Sequence, residues 1–242
     1  MVSEKNHSKW RVIRPMIGTA YFHQAVGQSL LKSIGKGISP PTIRLFQCKP
    51  ATVSISLKQK IGDVVDVEAC KRLGISITRR SSGGGAVFLN EGTCFTFSVV
   101  APTSILGRNI KTNYLTVFDR IIDGLEKLDI KATFKPPNDL IVDGKKIAGG
   151  TQILTKDAVM VAGTVLYNPD FSIMTKVLKL DGKKLTSIKE YSDQNLDKVL
   201  DIMTEALTRR IEFEFGDLTA EEAKQINNFE QSYEKEEWIF KN

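Results

Sequence analysis

The 242-residue sequence is poor in histidine and cysteine, with only His7 and His23 and with Cys48, Cys70 and Cys94. Two histidines make a histidine-centred metal site or a serine–histidine triad a poor interpretation. The cysteines are odd in number and widely spaced, and no C-x-x-C pair exists, which argues against a zinc site and against a disulfide framework. We therefore predict three buried, structural thiols.

The sequence also lacks a long apolar run. No segment approaches the roughly 18 apolar residues of a membrane-spanning helix, and the charged N-terminus MVSEKNHSKWRVIRP has no apolar core of the kind found in a secretory signal. Hydrophobic residues make up 41% and charged residues 26% of the chain, as in a globule with a core. We expect a cytoplasmic protein without a membrane partner.

The charge balance is basic, with a net charge of +6 and a pI of about 9.1. Such a balance favours anionic ligands or acidic partners. The basic residues are spread along the chain, without an arginine-rich arm or a basic-aromatic RNA motif. We therefore expect no nucleic-acid partner and interpret most of the charge as solvated surface.

Hydrophobic patterns predict both helices and strands. Helices are predicted from apolar periodicity at 20–34, 63–73, 110–128 and 193–210, and a capping box at Thr219–Glu222 predicts a last helix. Strands are predicted at 42–48, 53–57, 75–79, 93–100 (half-buried), 140–142, 146–154, 158–167 and 211–215. Because strands and helices do not alternate regularly, we predict an α+β fold with a mixed or antiparallel β-sheet flanked by helices. One domain is expected over 1–242, mainly helical from about residue 190.

The first segment of unusual composition is Arg79-Arg80-Ser81-Ser82-Gly83-Gly84-Gly85-Ala86-Val87-Phe88. Three consecutive glycines leave backbone N–H groups unshielded and permit positive φ, so the chain can wrap closely around an anion. The two arginines supply charged, forked donors for a carboxylate or a phosphate. The segment is neither a Walker P-loop nor a complete dinucleotide fingerprint. It predicts an anion-binding loop of another kind, with a flexible solvent loop as the alternative.

The second segment of unusual composition runs from Lys135 to Gly150 and contains Asn138-Asp139 after a diproline. A carboxylate at this place could hold Mg²⁺ beside phosphates. Asp143-Gly144 is typical of a tight hairpin turn, which would return Lys146 near the carboxylate and toward the glycine loop. The alternative is an Asx-type turn with exposed lysines at a hairpin tip.

Together the two segments resemble the signatures of the lipoate–protein ligases, which share a superfamily with biotin–protein ligases and octanoyl transferases. Residues 79–88 are similar to the family motif R-R-x-[ST]-G-G-G-A-V-[FY], and Asn138-Asp139 with Lys146-Ile147-x-Gly149 is similar to N-D…K-[IV]-x-G. Weaker similarities lie at 163–166 and 233–238. The resemblance spans roughly residues 13–238.

The resemblance implies a biotin/lipoate ligase-like catalytic domain that uses ATP and Mg²⁺ to convert lipoate into lipoyl-AMP and transfers the lipoyl group to a carrier lysine. It implies that Lys146 is catalytic in both half-reactions, that Arg80 grips the α-phosphate or acyl carboxylate, and that Asp139 holds Mg²⁺ through the phosphates. The ATP- and lipoyl-AMP-binding residues that it implies are Arg80, Ser82, Gly83, Gly84, Gly85, Ala86, Val87, Phe88, Asn138, Asp139, Lys146, Gly149 and Thr164. In this set, residues 85–88 would line the nucleotide with backbone contacts and an apolar wall.

The partners implied by the resemblance are lipoyl domains of 2-oxo acid dehydrogenase complexes or the glycine-cleavage carrier protein. Many relatives carry a small C-terminal domain, of which nothing follows Trp238 here. The chain therefore resembles an archaeal-type catalytic subunit, and we expect a small accessory protein. Leu89 and Val161 stand near positions where many relatives have histidine, which bears on substrate identity and efficiency.

Several alternative functions remain open. An ATP-independent octanoyl or lipoyl transferase would carry the acyl group on a cysteine, and a non-catalytic lipoyl-binding paralogue would not react at all. A biotin ligase is a weaker match, because its glycine loop is built differently and Pro136 stands in place of the tryptophan of its K-W-P-N-D motif.

Overall fold

The structure is a computed structural model that describes residues 9–180, 182 and 184–241. Its strands are β1 (Trp10–Gly18), β2 (Thr42–Cys48), β3 (Thr52–Ile55), β4 (Ser76–Arg79), β5 (Val87–Leu89), β6 (Cys94–Pro102), β7 (Thr133–Lys135), β8 (Asp139–Val142), β9 (Lys145–Leu154), β10 (Ala158–Leu166) and β11 (Phe213–Phe215). Its α-helices are α1 (Ala20–Gly35), α2 (Ile61–Val64), α3 (Val67–Arg72), α4 (Thr103–Leu106), α5 (Ile110–Glu126), α6 (Phe171–Val177), α7 (Leu196–Leu207), α8 (Ala220–Tyr233) and α9 (Glu236–Ile239). A 3₁₀ helix covers Ile188–Glu190.

The strands form a large sheet in the order β11-β1-β2-β6-β10-β9-β8-β7 and a small sheet in the order β4-β3-β5. In the large sheet β1 runs parallel to β11 and β2, whereas neighbours from β2 to β7 are antiparallel. The predicted α+β fold with a mixed sheet is confirmed.

Helices cover both faces of the large sheet. The apolar stripe predicted for α5 is buried with the apolar side of α7 in one core, which includes Tyr114, Val117, Phe118, Ile121 and Leu125. On the opposite face α1 packs on β6 and β10, and α8 packs on α1. In the described part of the chain, no helix combines the length and the hydropathy that a membrane span requires.

Two predicted elements differ from the structure. The segment 93–100, expected to be half-buried, belongs to β6, which is buried on both faces because it is a central strand with helices on each side. The helix expected at 63–73 is two short helices, since Val65 and Asp66 are extended. Asp66 starts the second helix by accepting a hydrogen bond from the Ala69 N–H at 2.7 Å, and Gly74 follows at φ +65°, as predicted.

The strand β1, which apolar patterning did not predict, is joined to α8 by a buried ion pair. Arg11 donates to both carboxylate oxygens of Glu222 in α8, at 2.9 and 2.6 Å. Ser39 and the N–H of Thr219 donate to the same carboxylate. Burial opposes the charged form, but hydrogen bonds from Arg11, Thr219 and Ser39 hold the pKa of Glu222 below its ordinary value. The predicted capping box of α8 is therefore also the anchor of that helix on β1.

Replacing Glu222 by alanine should lower the free energy of unfolding by about 3–5 kcal/mol, because Arg11 would keep a buried, unpaired charge. Urea denaturation monitored by circular dichroism measures this. The exposed pair Lys71–Glu68 supplies the control, since Glu68→Ala should change stability by less than about 1 kcal/mol. Equal losses in the two variants would contradict the anchoring role.

Candidate active site

A cavity of about 410 Å³ lies over the face of the large sheet that α1 covers. Its floor contains two rows of residues that are in register across β9, β10, β6 and β2. In that strand order, the first row is Gly149, Thr164, Thr96 and Phe46. The second row is Thr151, Ala162, Ser98 and Arg44. Its walls come from α1, the small sheet and the glycine loop. Both unusual segments of the sequence thus contribute to one cavity.

The glycine loop exposes backbone donors at the cavity. Within the described residues, the N–H groups of Gly83, Gly84 and Gly85 donate no hydrogen bond. Gly84 has φ +89°, a left-handed conformation that favours glycine, whereas its two neighbours do not. A Cβ added to Gly83 or Gly85 would meet open space. The loop therefore has room and free donors for an anion.

Arg80 holds the shape of this loop. Its guanidinium donates to the carbonyls of Ser54 at 2.9 Å and of Gly83 and Gly85 at 2.7 Å. Burial lowers the pKa of Arg80 to about 10, so the side chain stays protonated at neutral pH. The residue therefore contributes a fixed positive charge to the cavity wall, in addition to holding the loop.

Arg79 does not line the cavity, and the prediction that both arginines face an anion is wrong for this residue. Its side chain is buried and donates to the carbonyls of Ile239 at 2.9 Å and Lys241 at 3.0 Å. It also donates to three carbonyls in the segment 56–59. The physical reason is strand geometry, because successive side chains point to opposite faces.

The C-terminal helices support the same loop. The Tyr233 hydroxyl donates to Ser81 Oγ at 3.1 Å, and the Trp238 indole N–H donates to the Arg79 carbonyl at 2.7 Å. Gln28 on α1 also donates to Ser81. The residues at 233–238, where the sequence similarity is weak, therefore hold the glycine loop in place, a role that sequence reasoning missed.

Lys146 and Asp139 form an ion pair at the cavity, with Nζ 2.6 Å from Oδ1 and about a third of each side chain exposed. The predicted hairpin turn at Asp143-Gly144 is present, with positive φ at both residues. The lysine extends over Gly149, where an added Cβ would lie 2.5 Å from Nζ. Lys146 is further fixed by its N–H, which donates to the Lys184 carbonyl at 2.9 Å.

Asn138 and Thr164 also line the cavity, but both are engaged locally. The Asn138 side chain donates to the Gly150 carbonyl, and the Gly150 N–H donates back to the Asn138 carbonyl at 2.7 Å. Thr164 shares a hydrogen bond of 3.2 Å with Thr96 on the floor. These contacts hold the segment beside Asp139 in place.

The site fits a magnesium ion that is held by one carboxylate together with oxygen ligands from outside the protein. Among the described residues no group of three or more acidic, cysteine or histidine side chains could enclose a metal. Asp139 is the one carboxylate that the described part of the chain places at the cavity. Mg²⁺ is commonly bound by one or two carboxylates together with phosphate oxygens and water, which is the arrangement Asp139 permits.

The predicted residues 82–88 differ in whether their side chains or backbone line the cavity. Ser82, Gly84, Gly85, Ala86 and Val87 line the cavity, while Gly83 contributes a carbonyl to the loop. Phe88 does not line it, because its ring points to the opposite face of β5 from the Val87 side chain and is buried in a hydrophobic cluster. The expected apolar wall therefore contains Val87 and Leu89 rather than the Phe88 ring.

Leu89 and Val161, the two positions compared with family histidines in the sequence analysis, lie in different places. Leu89 lines the cavity, whereas Val161 is buried in the core on the opposite face of the sheet. The side chain at position 89 therefore forms part of the cavity surface, and Val161 does not reach it.

All three cysteines are buried, as predicted. Burial raises the pKa of the Cys48 thiol to about 12 and that of Cys70 to about 11, and it also raises the pKa of Cys94. Cys48 lines the cavity, but a thiol with such a pKa is almost wholly protonated at neutral pH.

Arg44 is a cavity residue that sequence reasoning missed. It lies on β2, is 2% exposed and donates to the His23 carbonyl of α1 at 2.7 Å. Burial lowers its pKa to about 9. An arginine inside the mainly apolar strand Thr42–Cys48 was the available signal, since such a strand is expected to be buried.

Comparison with known proteins identifies relatives along the whole chain. Octanoyltransferase LipM of Kyrpidia tusciae is 26% identical over 274 residues, covering 96% of this chain and 98% of the relative. "Probable lipoate-protein ligase A" of Mycoplasma pneumoniae is 30% identical over 167 residues, covering 69% of this chain and 48% of the relative.

Two solved structures share the fold. Lipoate-protein ligase A bound with ATP superposes with a TM-score of 0.88 at 22% identity, covering 96% of this chain and 98% of the other. A bi-partite lipoate protein ligase from Thermoplasma acidophilum, studied with its E2 lipoyl domain, gives a TM-score of 0.87 at 22% identity and covers 97% of each chain.

The fold is therefore that of a lipoate ligase catalytic domain. The family model described as the lipoyl protein ligase A/B catalytic domain matches residues 19–215, and the chain belongs to this family of enzymes that attach lipoyl or octanoyl groups.

Two glycines of the floor should respond differently to alanine. At Gly149 the added Cβ meets the flexible end of Lys146, so the variant should fold with the Lys146–Asp139 pair broken. At Gly163 the Cβ would lie 2.5 Å from the Phe97 ring and 2.8 Å from the Gly149 carbonyl, which should cost about 1–3 kcal/mol of stability. Thermal unfolding and a crystal structure of Gly149→Ala measure both effects. Retention of the ion pair in that crystal structure would contradict this account.

Proposed function

We propose that the chain is an ATP-dependent lipoate–protein ligase, which activates lipoate as lipoyl-AMP and transfers the lipoyl group to a lysine of a lipoyl carrier domain. The observation that carries this proposal is the shared cavity of the glycine loop and the Lys146–Asp139 pair. One end of that cavity offers free amides and fixed positive charge, as a nucleotide phosphate requires.

In the first half-reaction the lipoate carboxylate attacks the α-phosphorus of ATP. A P–O bond forms, the bond to the β-phosphate breaks, and pyrophosphate leaves. Two anions must approach each other, and their repulsion opposes the step. In our proposal Lys146, Arg80 and the loop amides stabilise the charge that develops in the transition state, and Asp139 would hold Mg²⁺ against the phosphates.

In the second half-reaction a neutral carrier lysine attacks the carbonyl carbon of lipoyl-AMP. A C–N bond forms, the C–O bond to AMP breaks, and the amine loses its proton to solvent. The same Lys146 ammonium would stay close to the carbonyl and the leaving phosphate. No protein nucleophile is needed in this route.

The octanoyltransferase name of several relatives supports a second candidate, an ATP-independent transfer through a cysteine thioester. That chemistry needs an accessible thiolate. Cys48 is the one cysteine at the cavity in the described part of the chain, and burial raises its pKa to about 12. The thiols therefore favour the ligase over the transferase.

The decisive measurement is mass spectrometry of a lipoyl carrier domain after incubation with lipoate and the chain, with and without ATP and Mg²⁺. We expect lipoylation only with ATP. Lys146→Ala should reduce the rate by about a hundredfold or more, because it removes one fixed donor from the transition state. The single variants Cys48→Ala, Cys70→Ala and Cys94→Ala should remain active.

Acyl transfer from a thioester donor without ATP, abolished by one cysteine substitution, would establish the transferase instead. Lipoate binding without any transfer or pyrophosphate release would identify a non-catalytic lipoyl-binding protein. The carriers that we propose are lipoyl domains of 2-oxo acid dehydrogenase complexes or the glycine-cleavage carrier protein, in keeping with the E2 lipoyl domain named with one structural neighbour.

We also propose a small accessory protein that completes the ligase, in keeping with the bi-partite neighbour. The purified chain alone should release pyrophosphate from ATP and lipoate slowly, and addition of the accessory protein should raise the rate at least tenfold. A coupled pyrophosphate assay measures this. Full activity of the chain by itself would overturn the accessory role without affecting the ligase proposal.

A further inference from the structure

The inner part of the cavity contains a buried cation without a counterion. Arg44 lines the cavity and is 2% exposed, and in the described residues no carboxylate pairs with it. Its Nε has no hydrogen-bond partner there. The guanidinium otherwise contacts the Phe46 ring, at 4.3 Å, and the backbone carbonyl of His23.

The neighbouring histidine does not neutralise this charge. Burial, together with the nearby Arg44, holds the pKa of His23 well below its ordinary value, so the ring is neutral. One nitrogen lies 3.0 Å from the Gln47 carbonyl and the other 3.3 Å from Arg44 NH1. The neutral tautomer that satisfies both contacts donates from Nε2 and accepts at Nδ1.

A second unpaired polar group adjoins Arg44. Ser98 is its cross-strand partner on β6, lines the same cavity and is 1% exposed. Among the described residues its Oγ lacks a hydrogen-bond partner. Buried polar groups without partners are rare in native proteins. Arg44 Nε and Ser98 Oγ lie side by side in the cavity wall, and one ligand atom that accepts hydrogen bonds would satisfy both.

Arg44 and Ser98 lie several strands away from Lys146, the residue proposed to act on the acyl carboxylate. Gly149, beneath Lys146, lies on β9, and Arg44 lies on β2 beyond β10 and β6. Three strand spacings and an offset of two residues along the strands amount to about 16 Å between these backbones. An extended eight-carbon acid spans about 9 Å, and the long arginine side chain covers part of the remainder.

We propose that Arg44, with Ser98, selects acyl acids that carry hydrogen-bond-accepting atoms at the far end of the chain, so that lipoate is bound in preference to octanoate. This proposal rests on the ligase function and names a residue that determines which acyl acid the cavity prefers. The dithiolane sulfurs are polarisable and weakly accepting. The terminal methyl of octanoate would leave the guanidinium N–H unpaired and would exclude the water that could serve it.

Isothermal titration calorimetry of the full chain with lipoate and with octanoate tests the preference directly. We expect wild type to bind lipoate at least about tenfold more tightly, since a site built for hydrogen bonds discriminates against analogues that lack the acceptor. In Arg44→Met the ratio should fall to about threefold or less. Methionine keeps an apolar side chain of similar length beside Phe46 and removes a buried unpaired charge, so the variant is expected to fold.

A third probe, 8-hydroxyoctanoate, separates polarity from ring shape. Wild type should bind it more tightly than octanoate, and Arg44→Met should lose that difference. Arg108→Met is the matched control, because Arg108 is outside the cavity and bonds the Lys156 carbonyl, and its lipoate-to-octanoate ratio should stay at the wild-type value. Equal binding of lipoate and octanoate by wild type would overturn the proposal, whatever the variants do.

Binding and transfer readouts keep this proposal distinct from the ligase function. If lipoate is preferred in calorimetry but no carrier is modified with ATP, the ligase function fails and the selectivity of the cavity stands. If both acids are ligated at equal rates and bound equally, the ligase function stands and the role of Arg44 fails.

Discussion

One extra residue in β9 determines where Lys146 points, and the site depends on it. Asp139 pairs with Gly149 and Leu140 with Ala148, but Ile141 pairs with Lys146, so the ladder skips one residue. Lys146 and Gly149 are three positions apart, and on a regular strand they would face opposite sides of the sheet. The bulge returns the lysine to the face of Asp139 and Gly149. Without it, the ammonium would lie on the core side, away from the glycine loop.

The cavity is built from two unlike regions that share one floor. At the β8–β9 side, the free loop amides, Arg80 and the Lys146–Asp139 pair line the same part of the cavity. The floor between the regions carries small residues, and Phe97 packs beneath Gly163 so closely that a methyl group there would collide with its ring. At the β2 side, Arg44 lies beside Phe46, Ser98 and the neutral His23. Such a division suits a substrate that reacts at one end and is recognised at the other.

Local sequence was sufficient for features fixed by local geometry. The Asp143-Gly144 turn, the capping box at Thr219 and the approach of Lys146 to Asp139 follow from turn chemistry and hairpin pairing. The face on which each side chain emerges depends on register and on packing partners distant in sequence. Arg79 was therefore assigned to the ligand although it bonds carbonyls some 160 residues away, and Phe88 was assigned to the cavity although it fills another core. The sequence did not predict Arg44 as a cavity residue, because its burial depends on the packing of α1 on the sheet and not on its neighbours in sequence.

Burial of Arg44 without a counterion has a free-energy cost. Holding a guanidinium without a counterion in a protein interior destabilises the free protein, and an apolar residue at this position would avoid that cost. The contrast with Arg11 is informative, since that buried arginine has a bidentate carboxylate and two further donors arranged around the acid. The same fold therefore neutralises Arg11 with a carboxylate, whereas no carboxylate of the described residues pairs with Arg44 at the cavity. An arginine N–H left without an acceptor where a cavity reaches it is most simply explained by an acceptor that arrives with the ligand.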